Sequence, residues 1–263
     1  MTEAHPGVVS LLTDFGLADP YVGIVKGVIA REAPGVTVID LTHAVPPQDV
    51  ELAALWLEQA YGWFPSGTVH LCVVDPGVGT ARAALAARAG EHWFVAPDNG
   101  VLSAVLGRES SSEVRRIDAS ALRLTVSSRT FHGRDVFAPV AARLASGALR
   151  LAEIGPPHAP LRLARREPRR DGAEVLGEVI AVDHFGNLIT NLPATVLETE
   201  GARVAVRDAS LRVVATYADA EPDECVALAS SFGLVEIAAR NASAAALLGL
   251  GRGEPVRLSR GSS

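Results

Sequence analysis

Three short apolar runs, Val8–Thr13, Val36–Leu41 and Thr68–Val74, alternate with two stretches of helical periodicity. That alternation restricts the N-terminal part of the chain more than any other feature. Asp19-Pro20 reads as a helix start, with the acid as N-cap and the proline in the first turn. Val22, Val25 and Ile29 follow at helical spacing, and Pro34-Gly35 ends the run. Asp49 is placed to cap a second helix whose apolar face is Val50, Ala54, Leu57 and Tyr61. Thr68–Val74 is apolar on both faces, as in a sheet covered on both sides. Strand, helix, strand, helix, strand predicts an α/β layer with a largely parallel sheet. Ala83–Arg88 and Trp93–Ala96 are further candidate strands, and Val136–Leu144 a further helix.

That helix closes this half near Gly147, and the pattern changes beyond the Pro- and Arg-rich stretch Ile154–Gly172. Short strand candidates then recur at Val175–Val182, Asn187–Asn191, Arg203–Arg207, Leu211–Thr216, Cys225–Ala229, Leu234–Ala238 and Pro255–Leu258, with turn residues between them and an Ala-rich helix candidate at Ala242–Leu248. Such spacing predicts a small β-sandwich or barrel. The domain reading is therefore an N-terminal α/β domain over 1–158, a linker over 159–171 and a C-terminal β domain over 172–263. The basic cluster Arg162, Arg165, Arg166, Arg169 and Arg170 is interleaved with prolines and lacks aromatics, so it reads as solvated linker. A net charge of −6 argues against a nucleic-acid partner. No run approaches the ~18 apolar residues of a membrane span. No basic region followed by an apolar run opens the chain. Cys72 and Cys225 both sit in apolar runs and read as buried free thiols. Together these features lead us to expect a cytoplasmic protein with neither membrane nor nucleic-acid partner.

Four stretches combine an acid, a glycine and an apolar flank: Thr13–Gly16, Val74–Arg82, Thr130–Pro139 and Asp183–Asn187. Asp14 and Asp75 each stand just beyond an apolar strand, where open α/β sheets bind ligands. An Asp there either accepts from ribose hydroxyls or caps the next turn. His132, Arg134 and Asp135 fall within four residues at a helix start, as an acid–base group or as a structural histidine beside an ion pair. Asp183-His184-Phe185-Gly186-Asn187 has the composition of a hairpin turn. Phe185 has little reason to be at a turn tip unless it stacks on something, and Tyr217 is a similar case. Gly77-x-Gly79 is no dinucleotide fingerprint, and no Walker loop, nucleophile elbow or zinc spacing is present. A mononuclear metal site at Asp14, His132 and Asp183 is conceivable, but the spacing does not ask for one.

From about Val8 to Leu258 the chain resembles the S-adenosylmethionine hydrolases (hydroxide adenosyltransferases), relatives of the S-adenosylmethionine-dependent fluorinase and chlorinase. The resemblance is carried by Thr13-Asp14-Phe15-Gly16, Tyr21-Val22-Gly23, Val74–Gly79, Ala96–Gly100, Thr130–Pro139, Asp183–Asn187 and Gly233–Ala238. It implies an α/β domain joined to a β-barrel, assembled as a homotrimer with sites at subunit interfaces. Asp75, Arg82 and His132 resemble the catalytic Asp-Arg-His set, and Asp14 the acid that binds the ribose. Asp183 resembles an acid that holds the methionine part, and Phe185, Asn187, Tyr217 and Ser231 resemble groups around the adenosine. Tyr21, Gly133 and Glu236 fall in the same motifs, and with Asp19, two residues before Tyr21, they complete the expected substrate-binding set. No cofactor or metal is implied, because S-adenosylmethionine is the substrate.

Two positions decide the branch. The halogenases resemble this chain but carry a Tyr at the place of Asp75, and the fluorinase a Ser at the place of Gly133. Gln48, Phe232 and Ala239 also depart from the fluorinase pattern. A carboxylate beside the nucleophile should repel a halide, so the expected reaction is hydrolysis to adenosine and L-methionine. His132 is then the expected base, Arg82 the stabiliser of developing hydroxide, with Arg134, two residues from His132, its rival for that role, and Asp75 the orienting acid. The alternatives are a halogenase and a non-catalytic binder of adenosine or S-adenosylmethionine.

Overall fold

The structure is a computed structural model, and it describes residues 7–164, 166–198 and 201–260. The chain divides into two compact units, Met1–Ala164 and Arg165–Ser263.

The first unit runs β1 (Val8–Thr13), α1 (Tyr21–Glu32), β2 (Thr37–Thr42), α2 (Val50–Ala60), β3 (Val69–Val73), β4 (Ala84–Ala89), β5 (His92–Pro97), α3 (Ser103–Arg108), β6 (Ser112–Arg116), α4 (Ala138–Ala145) and α5 (Leu151–Ile154). Its sheet order is β2-β1-β3-β5-β4-β6. β1 pairs in parallel with β2 and β3, and β3 with β5, whereas β4 is antiparallel to β5 and β6. Alternation along β3 explains why it is apolar throughout. Val69, Leu71 and Val73 enter one core layer with residues of α1, α4 and α5, while Cys72 and Val74 enter the opposite layer with α2 and α3. The chain leaves β1 toward β2 on one side and returns to β3 on the other. The crevice beyond the carboxyl ends of β1 and β3 is therefore the topological switch point. Thr13 and Val73 are register partners there, with Asp14 and Asp75 just beyond.

Several sequence expectations need correction in this unit. Asp49 caps α2 as expected, accepting from Leu52 N at 3.0 Å. Asp19 does not cap α1: Pro20 occupies the cap position, no side chain caps it, and Asp19 is exposed. The first intrahelical bond, Ile24 N to Pro20 O at 2.9 Å, explains the shift by one residue. α3 and β6 carry too little periodicity to be seen in sequence; β6 is a charged edge strand with one apolar residue, Val114.

The second unit is built from β7 (Arg169–Asp171), β8 (Glu174–Val182), β9 (Leu188–Pro193), β10 (Ala202–Val206), β11 (Ala209–Arg212), β12 (Cys225–Ala229), β13 (Leu234–Ala239), α6 (Ala244–Leu248) and β14 (Pro255–Arg260). The strand order is β11-β10-β14-β8-β9-β13-β12, with β7 added on β8. The first and last strands of that order approach each other again. Val213 bridges Ala227, and Val214 N donates to Ala227 O at 2.9 Å, which nearly closes the sheet into a barrel. Val179, Leu188, Leu192, Val204, Val235 and Ile237 fill it. The expected strand through Thr216 stops at Arg212, because Thr216 instead caps a short turn over Tyr217–Asp219. Cys72 is buried as expected, but Cys225 is only half-buried. The described arginines of the basic cluster are exposed, as a solvated reading expects, but the end of the stretch is strand rather than linker. Arg169–Asp171 pairs with β8, Arg166 meets Glu178 at 2.9 Å, and Arg165 lies outside the described residues.

Candidate active site

Two glycines shape the approach to the switch-point crevice. Gly79, at φ +79°, turns the loop after β3, and a Cβ there would stand 2.8 Å from Arg129 O. The loop thus lies against the segment leading to His132 and brings Arg82 back onto Asp75. Gly133 opens a π-type turn over Gly133–Phe137 that runs directly into α4. A Cβ on Gly133 would come within 3.3 Å of the Phe131 ring and 3.6 Å of Phe15.

Arg82 Nε donates to Asp75 Oδ1 at 2.8 Å, and Arg82 Nη2 donates to Asp75 Oδ2, closing a fork on the carboxylate. Nη2 also donates to His132 Nδ1 at 2.9 Å, and Nη1 to Ala83 O at 3.2 Å. One N–H of the five is left outside these contacts. The Arg82 and Asp75 side chains are 10% and 6% exposed. The guanidinium also lies 5.2 Å above the Phe137 ring. Burial lowers the His132 pKa, Arg82 lowers it further, and Asp75 and Asp135 offset part of this. A guanidinium only donates, so Nδ1 must accept, and neutral His132 carries its proton on Nε2. This geometry departs from a histidine base: its one basic lone pair is occupied, and the group it has left to offer is an N–H.

Arg134 is engaged elsewhere. Its Nε meets Asp135 Oδ1 at 2.6 Å, its Nη2 meets Asp135 Oδ2 at 3.0 Å and Ser127 Oγ at 2.6 Å, and its guanidinium covers the Phe131 ring at 5.3 Å. Burial pushes Asp135 up, but bonds from Arg134, Ser128 N and Ser127 outweigh it and hold the carboxyl at about 2. Asp135 and Arg134 thus form the structural ion pair at the helix start.

Asp14 accepts from Gln48 N at 2.8 Å. Beside it Phe15, Tyr21 and Phe131 pack edge to face, with ring centroids 5.4–6.1 Å apart. Tyr21 is 47% exposed, and Asp19 points to solvent.

In the second unit, Asp183 organises its own loop. Oδ1 accepts from Phe185 N at 2.9 Å and Asn187 N at 2.8 Å, and Oδ2 accepts from Asn187 Nδ2 at 2.9 Å. Those bonds leave Phe185 75% exposed at the tip, an unusual position for an aromatic ring. Tyr217 donates to Glu236 Oε1 at 2.7 Å. Burial raises the Glu236 pKa, the bond from Tyr217 opposes the rise, and Asp183 adds to it. Ser231 is exposed in the turn between β12 and β13. Sequence reasoning missed His43, which with Thr13 braces the Asp14 loop, and saw Thr13 only as part of the Thr13–Gly16 stretch and Gln48 only as a departure from the fluorinase pattern. No local pattern marks a lone histidine after an edge strand.

The SAM hydroxide adenosyltransferase N-terminal domain matches residues 9–155, and the C-terminal domain of the same family matches residues 177–257. The chain belongs to the SAM hydroxide adenosyltransferase family. An (R)-S-adenosyl-L-methionine hydrolase of Salinispora arenicola is 44% identical, over 96% of this chain and 98% of its own. A fluorinase of an Actinoplanes species is more distant, 30% identical over 74% of each chain. The crystal structure of an uncharacterized conserved protein from Thermotoga maritima has a TM-score of 0.90 and 38% identity, covering 96% of this chain and all of that one. The two domain models match the two units in one continuous order, as the motifs do.

Proposed function

We propose that the protein hydrolyses S-adenosyl-L-methionine to adenosine and L-methionine. The observation that carries this reading is the Arg82 fork, which joins Asp75 to His132 beyond the strand ends in a chain of this family. Water oxygen forms a bond to C5′, the C5′–S bond breaks, and its electron pair stays on sulfur as a neutral thioether. The departing proton goes to solvent. A neutral leaving group needs no general acid, so the protein's task lies on the nucleophile side.

His132 presents Nε2–H, and Arg82 keeps one N–H outside its fixed contacts, so the set stabilises an oxygen nucleophile as it becomes hydroxide. Anionic nucleophile and sulfonium both lose charge toward the transition state, and a dry pocket favours that change. Asp14 is the ribose acid. Tyr21, Gly133, Asp183, Phe185, Asn187, Tyr217, Ser231 and Glu236 are the remaining substrate contacts in this reading, with Asp19 exposed at the entrance to α1. No metal or cofactor is required. The proposal includes a homotrimer, with the N-terminal unit of one subunit facing the C-terminal unit of the next, and a cytoplasmic location. Among the described residues no helix is long and apolar enough to cross a membrane.

Incubation with S-adenosylmethionine in ¹⁸O-water, with a chelator present, tests the reaction. The expected products are methionine and adenosine labelled at the 5′ oxygen. A 5′-halogenated nucleoside formed with added chloride or fluoride would establish the halogenase alternative. Tight binding with unchanged substrate would establish the binding-protein alternative.

A further inference from the structure

The loop that carries Asp14 is held from outside by a residue that no motif singled out. Thr13, the last residue of β1, is fully buried, and its Oγ1 lies 2.9 Å from His43 Nδ1. The same oxygen accepts from Phe15 N at 3.2 Å, which caps the turn through Asp14. His43 O accepts from Gly16 N at 2.8 Å, closing that turn from its other end. Further along the same connection Gln48 donates its N–H to Asp14 Oδ2. Gln48 adopts φ +69°, a left-handed conformation that a non-glycine residue keeps only where its surroundings enforce it. The connection from β2 to α2 therefore grips the Thr13–Gly16 turn at both ends and touches the carboxylate itself.

The far side of the imidazole explains why the residue is a histidine. Its Nε2 lies 3.1 Å from Asp40 Oδ1, off the N–H axis, so the ring's N–H dipole faces the carboxylate without an aligned hydrogen bond. Asp40 Oδ2 in turn accepts from Lys26 Nζ of α1 at 2.6 Å. With the proton on Nε2 facing Asp40, Nδ1 is free to accept from the Thr13 hydroxyl, which leaves the Thr13 oxygen to accept from Phe15 N–H. Lys26, Asp40, His43 and Thr13 thus form a line of contacts from the surface of α1 to the turn at Asp14, hydrogen-bonded at both ends and electrostatic between Asp40 and His43. His43 is itself 6% exposed and is separated from Asp14 by the buried Thr13.

We infer that His43 is a positioning residue for Asp14: through Thr13 and the 13–16 turn it fixes the carboxylate for the substrate's ribose hydroxyls. This rests on the reading of Asp14 as the ribose acid. An ordered carboxylate strengthens binding without touching the step at C5′, so the loss should fall on KM and on adenosine affinity rather than on kcat.

The test is a double-mutant cycle read by calorimetric adenosine binding and by steady-state kinetics. His43→Leu should weaken adenosine binding by about 5–10-fold, the effect of one lost neutral hydrogen bond. His43→Asn places an amide oxygen near the position of Nδ1 and should restore most of the affinity. Thr13→Val, nearly isosteric, should reproduce the His43→Leu loss and covers the case in which His43→Leu does not fold. In an Asp14→Ala background the loss from Thr13→Val or His43→Leu should vanish, because the two positions act as one unit. Equal losses with and without Asp14 would overturn the inference, as would a fall in thermal stability with no change in affinity. If Asp14→Ala alone left adenosine binding intact, the ribose assignment itself would be wrong, and the cycle separates that failure from the first.

Discussion

Arg82→Ala is the substitution that most directly separates the two jobs of the Asp75–Arg82–His132 set. Among the described residues the Arg82 guanidinium is the only hydrogen-bond partner of the two oxygens of Asp75, whose side chain is 6% exposed. Removing one member of a buried pair strands the other charge, at a cost of roughly 3–5 kcal/mol. Residual solvent access to Asp75 places the expected loss toward the lower end of that range. Turnover should fall by at least about 10²-fold, the effect of losing one preorganised donor to a developing anion. The double variant Arg82→Ala with Asp75→Asn removes the stranded charge, so it should regain much of the stability and none of the turnover. Denaturant midpoints and adenosine release measured on the same samples read the two effects separately. Arg134→Ala is the control, since Arg134 is committed to Asp135 and Ser127. Near-native turnover in Arg82→Ala, with Arg134→Ala inactive but folded, would refute the assignment. Recovery of turnover in the double variant would refute the role of the guanidinium charge.

Three further outcomes follow from the geometry. With His132 Nδ1 accepting from Arg82, log kcat should keep rising with pH through neutrality and above; a plateau above the depressed His132 pKa would instead restore it as general base. His70 is fully buried between Ser10 Oγ at 2.6 Å and His92 Nδ1 at 3.1 Å, and burial, with a smaller push from His92, lowers its pKa to about 3. Below the unfolded value near 6.5 the unfolded chain binds a proton that the fold refuses, so stability should fall with pH by up to about 1.4 kcal/mol per unit, and equal pH slopes for wild type and Ser10→Ala/His70→Phe would contradict this. For the assembly, sedimentation should give a trimer, and a monomer fully active at high dilution would exclude interface sites.

How much could be read from the amino acids alone depended on whether a feature was periodic or positional. The strand-end acids were legible because β1 and β3 are apolar on both faces, which marks them as inner parallel strands, and inner parallel strands place ligands at their carboxyl ends. Strand spacing made a small β-sandwich or barrel legible and the resemblance implied the barrel, although the closure through Val213 and Ala227 could be read from neither. Asp19 was misplaced by one residue because Asp-Pro fits both a capping acid and the turn before the cap. The choice between Arg82 and Arg134 lay outside local pattern altogether. Arg134 is two residues from His132 in sequence, but the turn at Gly79 brings Arg82 back onto the imidazole from 50 residues away. His43 was silent for the same reason, since its partners lie in Thr13, Gly16 and Asp40, on two different strands and a turn.

The forked carboxylate gives a physical reason for preferring water over a halide. A halide can only accept hydrogen bonds, whereas water and hydroxide also carry a proton to donate. Asp75 gives one lone pair on each oxygen to Arg82, and each oxygen retains another that can accept a proton but repels an anion. Beside such an acid, a water oriented by His132 Nε2–H and the remaining Arg82 N–H satisfies donors and acceptor together, and a halide satisfies the donors alone. The carboxylate also offsets the guanidinium charge that would otherwise hold a halide. Replacing that acid by a neutral group would remove both effects. In the proposed reading, the residue that locks Arg82 in place thus also selects which nucleophile the site takes.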